Sequence, residues 1–234
     1  MRYLVSFFLI ILSVTLHSQN RYLSIGNKQN GICFGNSELY NGLRINLLDN
    51  NVDLINGMNI SVISKTNVTN GIKFSLQSYS QKTNGINFII WGLDDTESNG
   101  FTFSTAMAEE KLNGLGIGLI SATAKKMNGV FFTGLIGTMT APVNRINGLA
   151  IGLIFNVKSK IFNGLAIGGA NEAEISKGIL IGVSNISKKH YGIQIGLNNN
   201  AEELHGLQIG LWNVAMNNTF FKRMPLINFN FKNK

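Results

Sequence analysis

Apolar and polar positions along this chain alternate in short runs that restart about every fourteen residues. The segments YGIQIGLNNNA (191–201) and HGLQIGLWNVA (205–215) are near copies, fourteen positions apart. Each run opens on a glycine. Thirteen such glycines, from Gly31 to Gly206, lie 11, 15, 14, 14, 15, 14, 15, 19, 16, 14, 14 and 14 residues apart. The first residue after the glycine is apolar in all thirteen repeats, as at Ile193 and Leu207. The third is always isoleucine or phenylalanine, as at Phe74, Ile195 and Ile209. Between them sit mostly polar or small residues, among them Arg44, Asn59, Lys73, Gln194 and Gln208. Period-two alternation of β-branched and aromatic residues predicts one half-buried strand per repeat. The helical spacing of three and four is missing. On this pattern Ile195 and Ile209 are expected on an interior row, with Gln194 and Gln208 facing solvent.

The fourth position after the glycine is usually small: Gly in the later repeats (Gly168, Gly182, Gly196, Gly210), Ser in earlier ones (Ser61, Ser75, Ser104). A recurrent small residue inside a strand marks a bend or a close approach by another backbone. Ten of the thirteen glycines follow asparagine, a pair that takes positive φ readily and predicts a sharp turn.

Two architectures place a strand every fourteen residues. An up-and-down barrel makes neighbours antiparallel and tends to repeat every second strand, because its two rims face different surroundings. A solenoid stacks identical coils in parallel, about 4.8 Å apart. The period here is one unit, which predicts an all-β parallel β-solenoid of about thirteen coils of 14–15 residues. The antiparallel barrel or curled sheet is the alternative. Asn156, Asn171, Asn185, Asn199 and Asn213 recur at one corner, where stacked amides form a ladder or simply tolerate a turn. The longest spacing, 129–148, holds Pro142 and reads as a loop bulging from one coil.

The chain opens MRYLVSFFLIILSVTLHSQN: one arginine, an apolar run, then small and polar residues. That is the pattern of a secretory leader. The expected organisation is therefore a leader over 1–18, a lead-in over 19–30, the array over 31–215 and a C-terminal cap over 216–234. In that cap Phe220, Phe221, Leu226, Phe229 and Phe231 are expected to cover the end of the stack, and Pro225 to block further strand addition. The single cysteine, Cys33, excludes an internal disulfide and reads as a small buried side chain.

Charge adds little. The formal net charge is +8, but lysines such as Lys65, Lys73, Lys125 and Lys188 alternate with acidic pairs such as Glu202–Glu203 at equivalent corners. That is a solvated surface rather than a nucleic-acid face. His190 and His205 lie near the same place in neighbouring repeats; two ligands do not make a metal site, and both read as exposed corner residues. No nucleophile elbow, phosphate loop or paired-cysteine motif occurs, so no catalytic, cofactor-binding or metal-binding residue is assigned.

The units NGLAIGLIFNV, YGIQIGLNNNA and HGLQIGLWNVA, with the ending RMPLINFNFKN, resemble a bacterial surface-repeat family built from tandem GLQIGLxNxA units in exported proteins of Bacteroidota and spirochaetes. The likeness is good over 110–233 and degenerate over 31–109. It implies an envelope location and carries over no site residue. The expectation is an exported, non-enzymatic envelope protein with a structural or binding role, peripheral or outer-membrane in its association. Envelope components or another protein are its candidate partners, and an outer-membrane barrel is the alternative.

Overall fold

A computed structural model describes residues 22–134, 143–152 and 157–231, and in it the repeats are coils of a parallel β-solenoid. The leader, Pro142, Asn156 and the last three residues lie outside the described residues. Two units divide the chain, Met1–Gly100 and Phe101–Lys234. The first carries β1 (Tyr22–Gly26), β2 (Asn30–Gly35), β3 (Leu39–Ile45), β4 (Val52–Ser64), β5 (Thr66–Ser78) and β6 (Lys82–Leu93). The long β7 (Glu97–Thr133) begins there and continues into the second unit, which also carries β8 (Val143–Gly152), β9 (Val157–Ile195), β10 (Asn198–Ala215) and β11 (Arg223–Asn230). At 39 residues, β9 rounds more than two coils without leaving the sheet.

Register follows the repeat. Gly31, Gly42, Gly57, Gly71 and Gly85 pair in succession through β2 to β6, all in parallel. In the second unit Gly129 pairs with Gly148, Gly148 with Gly164, and Gly192 with Gly206, again in parallel. Parallel neighbours exclude the barrel for the described residues. Among the described residues only the outermost strands reverse: β1 lies antiparallel on β2, and β11 antiparallel on β10.

The Asn-Gly pairs take the positive φ expected of them. The sheet ladder nevertheless continues through them, as in β4 at Asn56–Gly57, so the glycine bends the ribbon without interrupting it. Gly71 shows why no other residue serves: its φ is +131°, and an added methyl would overlap the carbonyl oxygen of Gly57 one coil below. The preceding asparagines stack. Asn56 Nδ2 donates to Asn41 Oδ1 at 2.8 Å, Asn70 to Asn56 at 2.8 Å and Asn84 to Asn70 at 2.7 Å; Asn128, Asn147 and Asn163 repeat this in the second unit.

The expected faces are reversed. Gln194 and Gln208 are fully buried, whereas Ile195 and Ile209 are 38% and 39% exposed. Alternation fixes which residues share a face but not which face is inside. Here the interior takes the second and fourth positions after the glycine, and the recurrent apolar first and third positions point out. Small residues at the fourth position explain the choice, because a coil this narrow admits little volume. Gly116 sits between Leu112 and Phe131, and a methyl there would collide with both.

Interior columns also tolerate polarity, because the same side chain recurs above and below and supplies its own partner. Gln208 Nε2 bonds Gln194 Oε1 at 2.8 Å. In the first unit the column becomes ionic. Arg44 bonds Asp49 at 2.6 Å, Asn59 at 2.9 Å and Asn36 at 2.8 Å, with Arg44 and Asp49 side chains wholly buried. Lys73, expected at a solvated corner, is buried too: its Nζ bonds Asp95 at 2.9 Å, Ser78 at 2.8 Å and Ser80 at 3.0 Å. Burying an ion costs several kcal/mol unless it is paired and hydrogen-bonded; both cations meet that condition. Cys33 is buried as expected.

Candidate functional site

Turning the apolar rows outward gives each unit a flat apolar wall. In the first unit it includes Ile32, Phe34, Ile60, Phe74 and Ile86, between 37% and 44% exposed. Phe74 and Phe88 stack there with ring centroids 5.2 Å apart. The antiparallel end strands prolong both rows. Ile25 pairs with Ile32 and Leu23 with Phe34 in the first unit; Phe229 pairs with Leu207 and Ile227 with Ile209 in the second. Exposed single apolar residues are ordinary, but contiguous apolar surface marks a contact site.

On the second unit this wall is hollowed into a groove of about 1070 Å³. One side is the row Ile151, Ile167, Ile181, Ile195, Ile209; the other includes Val183, Leu197 and Leu211. Glycines form the floor, and Leu226 and Ile227 of β11 line one end. The floor is glycine for a reason that lies beneath it. Asn171 Nδ2 donates to Asn185 Oδ1, Asn185 to Asn199 and Asn199 to Asn213, at 2.7, 2.7 and 2.8 Å. The same amides also bond the carbonyls of Ile181, Ile195 and Ile209, each at 2.9 Å. A methyl on Gly196 would press into Asn185 Nδ2 and the Gly182 carbonyl. The asparagine ladder thus holds the floor smooth and fixes the carbonyls of the residues that wall the groove. Among the described residues no charged side chain lines it.

Corner charges near the groove's coils are neutralised between coils. Lys158 pairs with Glu172 at 3.0 Å, Lys189 with Glu203 at 2.9 Å and Lys188 with Glu174 at 3.8 Å. The hydrogen bond that Lys189 donates to Glu203 holds the pKa of its ammonium above the usual range. Where the outer asparagine column ends, Lys177, Tyr191 and His205 follow. Tyr191 and His205 stack 4.7 Å apart, and Lys177 Nζ lies 5.7 Å from the Tyr191 centroid.

The two histidines part company with expectation. His205 is half-buried in that stack. His190 is fully buried, and its Nδ1 lies 2.7 Å from Ser176 Oγ. Desolvation pushes its pKa down to about 4. It sits inside because its place, two before the repeat glycine, is an interior column shared with Leu204, Phe162 and Ile146. Among the described residues no three His, Cys, Asp or Glu side chains gather as a metal site, and no helix is long and apolar enough to cross a membrane.

The five apolar residues expected to cover the end of the stack do not. Phe220, Phe221, Leu226, Phe229 and Phe231 are 60–78% exposed, because β11 caps the last coil through its backbone while these side chains point away. The alternation alone does not reveal the groove, because apolar rows of this kind are ordinarily core. The uniformity of those rows was the available signal: interior columns vary from Gly116 to Phe131, and the outer rows do not. No family model, curated protein or solved structure matches the chain.

Proposed function

We propose that the chain is an exported, non-enzymatic repeat protein of the cell envelope whose outward apolar wall is its binding surface, with the groove of the second unit as the principal contact. The observation that carries this reading is the direction of the repeat-wide apolar rows. Thirteen repeats keep isoleucine or phenylalanine at a position that is exposed or half-buried and in none of them interior. Core packing does not require that, whereas adhesion to an apolar partner does. Completing the burial of one such side chain, already more than half covered, stabilises a contact by roughly 1 kcal/mol, and the gains of a whole row sum to a non-directional binding surface. The leader-like N-terminus and the likeness to exported surface repeats support the location.

Fractionation of cells expressing the full chain tests this. The protein should sediment with the envelope, and the triple variant Ile181→Asn, Ile195→Asn, Ile209→Asn should fold but leave that fraction. Recovery of the parent from the cytosol, or unchanged sedimentation of the variant, contradicts the proposal.

A further inference from the structure

The C-terminal end of the second unit differs from the rest of the wall in both chemistry and charge. Phe220 and Phe221 are 78% and 73% exposed, Trp212 50% and Phe229 60%. Trp212 lies in the irregular stretch of β10 between Gly210 and Asn213, across from the β11 residues Met224 to Leu226. Lys222 and Arg223 follow Phe221 directly and are exposed. Lys222 sits opposite Ala215, its carbonyl accepting from the Ala215 amide at 2.8 Å, and Arg223 opposite Val214. Elsewhere on this unit Lys125, Lys158, Lys188 and Lys189 pair with glutamates of adjoining coils. Here the sequence from Leu204 to Phe231 contains no Asp or Glu, and no ion pair to Lys222 or Arg223 is present among the described residues.

We infer that this end docks on an anionic lipid bilayer, with the aromatic side chains entering the headgroup boundary and Lys222 and Arg223 meeting acidic headgroups. The inference rests on the envelope reading above and names the partner of one part of the wall. Exposed aromatics beside unpaired basic residues are the chemistry of an interfacial anchor. Basic residues near an acidic leaflet gain from its surface potential, and the gain is screened within a Debye length. A second copy of the chain fits less well: at a two-fold contact each patch meets its own positive charge, which repels. The groove's end at Leu226 and Ile227 adjoins these residues along β11, so docking here brings the apolar groove to the membrane.

The two tryptophans of the chain are Trp91 and Trp212. A Trp91→Phe background therefore makes Trp212 a sole reporter, one that membrane binding by the N-terminal leader does not move. The full chain is titrated with vesicles of phosphatidylglycerol and phosphatidylethanolamine, and separately with phosphatidylcholine alone. Expected are a blue shift of Trp212 and quenching by spin-labelled lipid with the anionic vesicles, weakened by salt. Lys222→Glu with Arg223→Glu should weaken the midpoint about tenfold or more. Phe220→Ser with Phe221→Ser should abolish the shift, with circular dichroism unchanged.

A Trp212 spectrum that ignores anionic vesicles, or responds equally to neutral ones, overturns the inference. So does a blue shift without lipid that tracks protein concentration and a dimer in sedimentation. If the vesicle experiment fails while the triple isoleucine variant still leaves the envelope fraction, the lipid inference falls and the binding-wall reading stands.

Discussion

Gln208 Nε2 donates a 2.8 Å hydrogen bond to Gln194 Oε1, fourteen residues earlier, with both side chains wholly buried. The neighbouring Ile195 and Ile209 meanwhile stand 38% and 39% exposed. Gln194→Lys places an unpaired ammonium in the column and should cost about 3 kcal/mol or more. Ile195→Asn should stay within about 1 kcal/mol. Urea midpoints of the two variants give the comparison, and the opposite order would restore the isoleucines to the core.

Coil, period and parallel stacking were legible because each rests on spacing, and Gly192 at φ +132° admits nothing else. The faces were not, because alternation is symmetric between inside and outside until volume is considered. Gly116 packed between Leu112 and Phe131 carried that information, as did the small residues at the fourth position. Lys73 and Asp95, 22 residues apart, gave no warning of their pairing. Only the stacking of coils brings them together. The groove was hidden by the same inversion, since apolar rows are ordinarily core.

The Lys73–Asp95 pair yields a second expectation. Asp95 also accepts from Ser78 Oγ at 2.7 Å and from the Ser80 amide at 2.6 Å. Asp95→Asn strands a buried ammonium and should destabilise by about 3–5 kcal/mol. The double change Lys73→Met, Asp95→Asn should recover a large part of that loss. A double variant as unstable as Asp95→Asn alone would show that the charge is not the source of the cost.

His190 links stability to acidity. Burial lowers its pKa from 6.5 to about 4, so between those values the unfolded chain binds the proton and the folded chain does not. Stability from this group is complete above the unfolded pKa and drains as pH falls through that window, by about 3 kcal/mol in all. His190→Gln should flatten the fall in urea midpoint between pH 6.5 and 4 relative to the parent. Parallel curves for parent and variant would refute the coupling.

Whole coils should be removable. Deleting 178–191 joins Lys177 to Gly192 and lets Gly192 stack on Gly164, keeping every column aligned, since each coil leans only on its neighbours. Deleting seven residues, 185–191, misaligns the asparagine ladder and the glycine column together. The first deletion should leave a cooperatively melting protein by circular dichroism and the second should not. Equal tolerance would contradict a register-bound stack.

Thiol labelling reaches the central claim, that the repeat-wide apolar rows face outward and make the contact. In a Cys33→Ser background the chain has no native thiol, and one is introduced by either Ile195→Cys or Gln194→Cys. In buffer the I195C thiol should react with a polar maleimide at near the free-thiol rate, and the Q194C thiol only on unfolding. On isolated envelopes the I195C thiol should become protected. Slow labelling of I195C and fast labelling of Q194C in buffer, or no protection of I195C on envelopes, would contradict the account.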